Sequence, residues 1–464
     1  MAMSDAVLPP LAGPVPPEKP LSFLKFLRVA PDNIMAALPR AAYEQPVWEF
    51  PYSRSQILMV SDPAGVKQVL LDNVQNYPKA PEEIMVLGAA FGDGLLVSQG
   101  EKWRAHRRIM SPSFDHKSIV SYVPGMTGTI GAWLRGWDAR ENGSRVDIAE
   151  EMTQLTLKVI SRAMFSADAD GISGLMGETL ARGMETLDFG LLDGLPLIGP
   201  LLLRRKLDRI HRVFAQLDGA IYNLIDARTK APRTGSPDLL DRLIAARDPG
   251  DGGDKTGGKM TNQEVRDETV IIFIAGHETT AVAMTFVWYL LSQHPKEEAK
   301  LHAELDTVLG GRAPAYEDLA KLPYTRMVIE EAMRLYPPAP GISNRRAQGE
   351  DMLCGHRIKP QANVIIAPWI LHRHKTLWED PLRFDPERFS PERSAGRHRF
   401  AYLPFGGGPR ICIGAALAMT EASLILATIA QRYRLRLAPG APIELRNRIT
   451  LRPKNGMPMT LERR

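Results

Sequence analysis

The most informative part of this 464-residue chain is the stretch Phe405-Gly406-Gly407-Gly408-Pro409-Arg410-Ile411-Cys412-Ile413-Gly414. It contains Cys412, one of only two cysteines, among four glycines. A run of strong helix formers follows, from Ala415 to about Arg432. Cys412 is therefore predicted at a helix N-terminus, where unpaired N–H groups and the positive end of the helix dipole favour a thiolate over a thiol.

The glycines around Cys412 have no Cβ atoms, so the loop can turn sharply and lie flat beneath a large planar ligand. A single thiolate presented in this way suits haem iron, because an axial thiolate pushes electron density onto the metal and favours O–O bond cleavage. The alternative interpretation is a buried structural cysteine that packs as a small hydrophobe.

The pattern Phe-x-x-Gly-x-Arg-x-Cys-x-Gly resembles the haem-binding signature of the cytochrome P-450 superfamily, and every fixed position is filled. The resemblance implies haem b as the cofactor and Cys412 as the iron ligand, with Phe405, Arg410 and Gly414 in the cofactor site. It also implies a mainly α-helical fold, in which a single haem domain carries small accessory β-sheets.

Trp103 and Arg107 are four residues apart on a predicted basic helix and so share one face. A solvated basic helix face is the alternative, but the pair is similar to the family's Trp-x-x-x-Arg, whose two residues meet a haem propionate. Asn344-Arg345-Arg346 stands where the family places another propionate-binding arginine. The spacing does not decide between Arg345 and Arg346, and we favour Arg345.

A capping box at Thr261-Asn262-Gln263-Glu264 predicts the start of a helix that runs to His294, about 50 Å long at 1.5 Å per residue. Its apolar part, residues 270–292, is long enough to resemble a membrane span. His277, Glu278 and three threonines interrupt that part, so a helix buried at the centre of a large protein is favoured.

The middle of this helix reads Ala275-Gly276-His277-Glu278-Thr279-Thr280. Ala275 and Thr279 share a face, and Gly276 is expected to leave room on one side of the helix. An acid followed by a hydroxyl is costly to bury without partners. The segment resembles the family's oxygen-activation motif, which implies that Glu278 and Thr279 are catalytic residues for proton delivery.

Glu331 and Arg334 are three residues apart on a predicted helix and can form an ion pair. A weak surface pair is the alternative. Pro386-Glu387-Arg388-Phe389 resembles the family's second arginine segment, so the resemblance implies a buried network of Glu331, Arg334 and Arg388.

Short strands are predicted at both ends of the chain. Residues 47–50 and 57–60 form a predicted hairpin, and Asn455-Gly456 is a hairpin-turn signal within residues 449–461. Residues 1–20 are rich in proline and are predicted to be a loosely ordered tail, with residues 21–464 as the haem domain.

A net charge of +5 is too small to argue for nucleic acid as a partner. Cys354 and Cys412 give no disulfide framework, which fits a reducing cytoplasm. Without a signal peptide or a favoured transmembrane segment, we expect a cytoplasmic protein. The apolar, Pro- and Gly-interrupted segment 187–206 is an expected mobile lid that packs inward over a pocket, with transient membrane contact as the alternative.

The function implied by the resemblance is a monooxygenase that inserts one atom of dioxygen into a small apolar organic substrate. We expect lipid-, terpenoid-, steroid- or aromatic-like substrates. A separate ferredoxin or flavodoxin-type electron donor is expected, attracted by nearby basic residues, which include Arg104, Arg108, Arg397 and Arg399. The alternatives are a haem-thiolate isomerase or dehydratase, and a haem-based sensor or carrier without turnover.

Overall fold

The computed structural model describes residues 11–53, 55–165, 174, 179, 199–231, 237–246, 260–342, 344–447 and 449–464. Its α-helices are α1 Phe23–Val29, α2 Ile34–Ala37, α3 Pro63–Lys67, α4 Pro81–Phe91, α5 Gly100–Met110, α6 His116–Asp138, α7 Ile148–Phe165, α8 Gly199–Lys230, α9 Leu239–Ala245, α10 Asn262–Gln293, α11 Pro295–Leu309, α12 Pro323–Leu335, α13 Pro368–Leu371, α14 Pro391–Ser394 and α15 Ala415–Ala430. Its strands are β1 Val47–Glu49, β2 Ile57–Val60, β3 Arg145–Asp147, β4 Arg345–Arg346, β5 Asp351–Leu353, β6 His356–Ile358, β7 Asn363–Ile365, β8 Tyr433–Leu437, β9 Leu445–Asn447, β10 Leu451–Pro453 and β11 Pro458–Arg463. The mainly α-helical fold with small sheets is confirmed.

Helix α10 is the central element of the core. Its capping box is present: the Thr261 hydroxyl accepts from the backbone N–H of Glu264 at 3.2 Å, and the Glu264 carboxylate accepts from the N–H of Thr261 at 2.9 Å. Of the helices in the described ranges, only α10 is long and apolar enough to cross a membrane, and most of its apolar stretch is buried inside the protein. That burial agrees with the predicted core helix.

The N-terminal hairpin is confirmed, because β1 pairs antiparallel with β2 and Val47 lies opposite Val60. The sheet continues from β2 through the parallel strand β7 to β4, which contains both candidate arginines. The hairpin predicted at Asn455-Gly456 is wrong. The strands on either side of it have different partners, since β10 pairs with β9 whereas β11 pairs with β3 and β8.

The described part of the proline-rich N-terminal segment is attached to the helical core. Ala12 donates its backbone N–H to the Tyr289 hydroxyl at 3.0 Å and accepts from the Tyr336 hydroxyl at 2.8 Å. Glu18 pairs with Arg40 at 2.8 Å. Residues 11–18 therefore contact the domain, in contrast to the loose tail that composition predicts.

The Glu331 network lies in the interior. Glu331 accepts from Arg334 Nε at 2.7 Å and Nη2 at 2.8 Å, and Arg388 Nε lies 3.4 Å away. Arg334 also donates to the carbonyl of His372 at 2.8 Å, and His372 Nε2 accepts from the N–H of Leu403 at 2.8 Å. The ion network is thereby connected to the backbone just before the cysteine loop.

Candidate functional site

The cysteine loop, residues 403–414, is built on glycines in conformations that other residues rarely adopt. Gly406 and Gly408 have φ of 72° and 68°. A Cβ on Gly408 would lie 1.9 Å from the carbonyl oxygen of Leu70, so only glycine fits there. Cys412 donates its backbone N–H to the carbonyl of Phe405 at 2.9 Å, and Gly414 is the N-cap of α15. Cys412 therefore lies at a helix start, as predicted.

The Cys412 side chain has surroundings that disfavour its charged form. It is exposed, yet enough protein surrounds it that desolvation raises the pKa of its thiol; the Gly414 N–H and Arg107 oppose this only in part. Desolvation thus opposes the thiolate that the helix start favours. Binding of a metal ion would supply the missing stabilisation, because metal ligation deprotonates a coordinating thiol.

A group of cations lies beside the loop that joins α4 to α5. Arg410 packs on the Trp103 ring, with its guanidinium carbon 4.5 Å from the ring centroid, and donates to the carbonyl of Ser98 at 3.0 Å. Arg345 is 4% exposed, and its Nε has no hydrogen-bond partner. Lys79 is also buried and donates to the carbonyl of Leu96.

The electrostatics of this group favour an anion. Burial and then the proximity of Arg345 lower the pKa of Arg410 to about 10. Burial lowers the pKa of Lys79 to about 8; Glu83 opposes this, while Arg410 and Arg345 add to it. Two buried cations, Lys79 and Arg345, and the half-buried Arg410 lie near one another, and Arg345 has an unpartnered donor. This group fits the two carboxylates of a haem.

Lys79 was not predicted from the sequence. It is a single lysine between Pro78 and Ala80, with no helical or strand period to mark it. It reaches the site because its backbone forms an isolated antiparallel bridge with Arg345, more than 260 positions later.

Arg345 and Arg346 have opposite environments. Arg346 donates to the Glu82 carboxylate at 2.7 Å and to the Asn363 side chain at 2.9 Å. Arg345, one residue earlier on β4, points to the buried side. Alternation along a strand separates the two arginines.

Arg107 contacts the cysteine loop. Its Nη1 donates to the carbonyl of Ile411 at 2.8 Å, and burial lowers its pKa while attraction to Cys412 raises it. Phe405 is half-buried and packs against the main hydrophobic core. Both residues thus support the loop on which Cys412 is placed.

On α10, Ala275 and Thr279 share one face. Ala275 is exposed and Thr279 half-buried, although most of the helix is buried. The Thr279 hydroxyl donates to the carbonyl of Ala275 at 2.7 Å. Gly276 does not leave open room, because a Cβ there would lie 3.0 Å from Ile160 on α7; the glycine permits close helix packing instead.

Glu278 points away from Thr279. Its carboxylate accepts from the Thr450 hydroxyl at 2.7 Å and forms an ion pair with Arg452, on the β10 side of the protein. Adjacent residues on a helix do not face each other. The two predicted catalytic side chains are therefore neighbours in sequence but have separate contacts.

The comparisons with known proteins agree with this geometry. Residues 14–459 match the family model described as Cytochrome P450. The chain is 37% identical to cyclooctatin synthase of Streptomyces melanosporofaciens, over 93% of this chain and 89% of that one. It is 33% identical to cyclooctat-9-en-7-ol 5-monooxygenase of the same organism, over 92% and 87% of the two chains. The solved cytochrome P450DA heme domain matches with a TM-score of 0.80 and 25% identity, and the alignment covers 98% of both chains.

The chain thus combines a glycine-built cysteine loop, the cation group beside it and a core helix with Ala275 and Thr279 on one open face. It matches this family along nearly its whole length. The chain belongs to the cytochrome P450 family and is an enzyme of its monooxygenase class.

Proposed function

We propose that this enzyme uses haem b to insert one atom of dioxygen into an apolar, cyclic, terpenoid-like substrate, with electrons from a separate ferredoxin or flavodoxin-type protein. The observation that carries the proposal is the exposed Ala275 in the middle of a mostly buried apolar helix. A small side chain there leaves space for a bulky apolar molecule beside the Thr279 hydroxyl.

Cys412 would hold the haem iron, and Lys79, Arg345 and Arg410 would bind its two propionates, with Trp103 stacked on Arg410. When bound, the haem supplies dioxygen activation through its thiolate-ligated iron. Arg107 would act mainly on the cysteine loop, because its Nη1 already bonds the Ile411 carbonyl. Arg345 is favoured over Arg346, whose guanidinium is ion-paired with Glu82.

Thr279 would hold and pass on a proton. Its hydroxyl now donates to the carbonyl of Ala275, and a rotation about χ1 would turn it into the open space. Glu278 would take part in proton delivery only after leaving Thr450 and Arg452. We therefore assign it a supporting role, as a negative charge that points away from Thr279.

The substrate class is supported by the relatives. One relative is named cyclooctat-9-en-7-ol 5-monooxygenase, a monooxygenase that acts on a terpenoid. We assign the exposed apolar side chains Leu96 and Met85, on the elements that precede α5, to the walls of the space beside Ala275. A cyclic hydrocarbon suits such walls because they offer area and few hydrogen bonds.

The electron donor would dock where basic side chains remain exposed. Arg399 is exposed next to the cysteine loop. Arg397 is less accessible for docking than the sequence predicts. Its guanidinium packs 4.6 Å from the Trp378 ring and 4.9 Å from the Phe389 ring, and it donates to the carbonyl of Arg388. Arg104 is exposed but paired with Glu101.

The proposal is tested with the purified ferric protein and a panel of cyclic terpene alcohols, linear fatty acids and steroids. Cyclic terpenoids are expected to shift the haem absorption spectrum towards the high-spin form. With an acidic ferredoxin and its reductase, isotopically labelled dioxygen should leave one labelled oxygen atom in the product. Shifts by fatty acids alone, or products without the label, would contradict it.

A further inference from the structure

Two consecutive acids on α10, Asp267 and Glu268, are buried about three turns before Thr279. They are 3% and 0% exposed. A buried carboxylate is costly unless it is hydrogen-bonded or paired. Their partners therefore identify what they do.

Both carboxylates hold the backbone of the loop between α4 and α5, residues 92–99, called here the 92–99 loop. Asp267 Oδ2 accepts from the N–H of Asp93 at 2.9 Å, and Glu268 Oε1 accepts from the N–H of Leu95 at 2.8 Å. Each of these bonds ties an N–H of the loop to a side chain of the central helix.

The glycines of the loop allow this close approach. Gly92 has a φ of 70°, and a Cβ there would lie 2.2 Å from the Asp267 carboxylate. A Cβ on Gly94 would lie 2.7 Å from Ile271 and 3.1 Å from the Glu268 carboxyl carbon. The backbone of the loop therefore lies directly on α10.

The loop covers the helix face that leads to the reactive region. Glu268, Ile271, Ala275 and Thr279 follow one another at steps of three or four residues and so share a face. The loop contacts the first two, and the next residue on this face, Ala275, is exposed. The loop thus borders the open space beside Ala275.

The same loop is held from its other side by the cation group. Lys79 donates to the carbonyl of Leu96, and Arg410 donates to that of Ser98. Between these two attachments, the Leu96 side chain is 39% exposed.

Each acid also has a counter-charge on a different element. His106 Nδ1 on α5 lies 2.6 Å from Glu268 Oε1, and its Nε2 lies 3.4 Å from Glu264. Arg266 Nη1 lies 3.0 Å from Asp267 Oδ1, and Arg266 also pairs with Asp218 on α8 at 2.6 Å. Gln263 donates to Asp267 Oδ1 at 2.8 Å.

We propose that Asp267 and Glu268 are positioning residues that clamp the 92–99 loop to the central helix and thereby fix one wall of the substrate pocket. That this pocket binds substrate rests on the proposed function, whereas the clamp of the loop does not. Loss of either carboxylate frees an N–H of the loop while the cysteine loop and the three cations keep their contacts.

The test is hydrogen exchange on the haem-loaded protein, measured on peptides that span the 92–99 loop. In Glu268→Ala and Asp267→Ala, exchange there should speed up by roughly 10- to 100-fold, because a hydrogen bond that holds the loop to the helix is lost. Glu268→Gln preserves the side-chain volume and should give a smaller change of the same sign. Glu264→Gln is the matched control. Glu264 caps α10 and contacts His106 and Lys102, but it accepts no hydrogen bond from a loop N–H among the described contacts, so exchange of the loop should stay unchanged.

A second measurement connects the clamp to ligand entry. Imidazole and the bulkier phenylimidazole both bind haem iron, and stopped-flow absorbance gives their association rates. Phenylimidazole should bind several-fold faster to Glu268→Ala than to the parent protein, whereas the rate for imidazole should stay the same.

Unchanged loop exchange in both alanine variants would overturn the proposal, as would faster exchange spread equally over α5, α10 and the loop. Equal acceleration of both imidazoles would also overturn it. None of these measurements needs turnover or a known substrate, so the clamp and the proposed function can fail independently.

Discussion

Replacing Glu331 by glutamine tests the buried ion network in depth. The parent carboxylate accepts two bonds from Arg334, one from the N–H of Asp385 at 2.9 Å, and faces Arg388 at 3.4 Å. Arg334 is completely buried, so the variant leaves its positive charge without a counter-charge. Breaking a buried pair in this way costs about 3–5 kcal/mol.

The lower end of that range is expected here. Arg334 keeps hydrogen bonds to the carbonyls of His372, Pro381 and Arg383, at 2.7–3.1 Å, which partly stabilise the remaining charge. We therefore expect Glu331→Gln to lower the free energy of unfolding by about 3 kcal/mol. Haem should also be lost earlier in the transition, since His372 connects Arg334 to the cysteine loop.

The assay is urea unfolding of the haem-loaded protein, followed by far-UV circular dichroism and by haem absorbance. Glu330→Gln is the matched control, because Glu330 pairs at 3.1 Å with Arg326, whose side chain is 68% exposed. Such a pair contributes about 0–1 kcal/mol to the free energy of unfolding. Burial also raises the pKa of Glu330, which disfavours its charged form. If the two variants unfolded at the same urea concentration, the network would not stabilise the fold as argued.

Four further outcomes are expected. Cys412→Ser should abolish the red-shifted absorption band of the reduced carbon monoxide complex, whereas Cys354→Ser should keep it; a retained band in the first variant would refute the ligand assignment. Thr279→Ala should keep haem and consume reductant but give several-fold less product per electron and more peroxide, which parallel product, peroxide and reductant assays can check. Arg345→Gln should weaken haem retention by about tenfold, measured by transfer to apomyoglobin, and Arg346→Gln should not, because only Arg345 is a buried, incompletely bonded donor. Reduction by an acidic ferredoxin should slow as salt rises, since exposed charges are screened beyond about 8 Å at physiological ionic strength, and a salt-independent rate would indicate an apolar docking face.

The features that the sequence determined are those that neighbouring residues specify. The capping box at Thr261, the long apolar helix and the cysteine at the start of α15 all depend on contacts within a few positions. Local hydrogen bonds and helical period need no knowledge of distant elements. The first hairpin was predicted for the same reason.

What only the tertiary structure decided depends on contacts between distant parts of the chain. Glu278 turns to Thr450 and Arg452, about 170 positions away, so a local motif could not show that it leaves Thr279. The thiol pKa follows the surrounding protein, which outweighs the helix start. Asn455-Gly456 failed as a hairpin because its flanking strands pair with other strands, β10 with β9 and β11 with β3 and β8.

The choice of cations and acids at the site has the same physical origin. Burial gives an ordinary lysine or acid its special chemistry, and burial is set by packing of remote segments. Lys79 becomes part of the cation group only because it pairs with the strand of Arg345. Asp267 and Glu268 look like ordinary polar residues near a helix start until the 92–99 loop folds onto them, since the loop N–H groups lie more than 170 positions earlier in the chain.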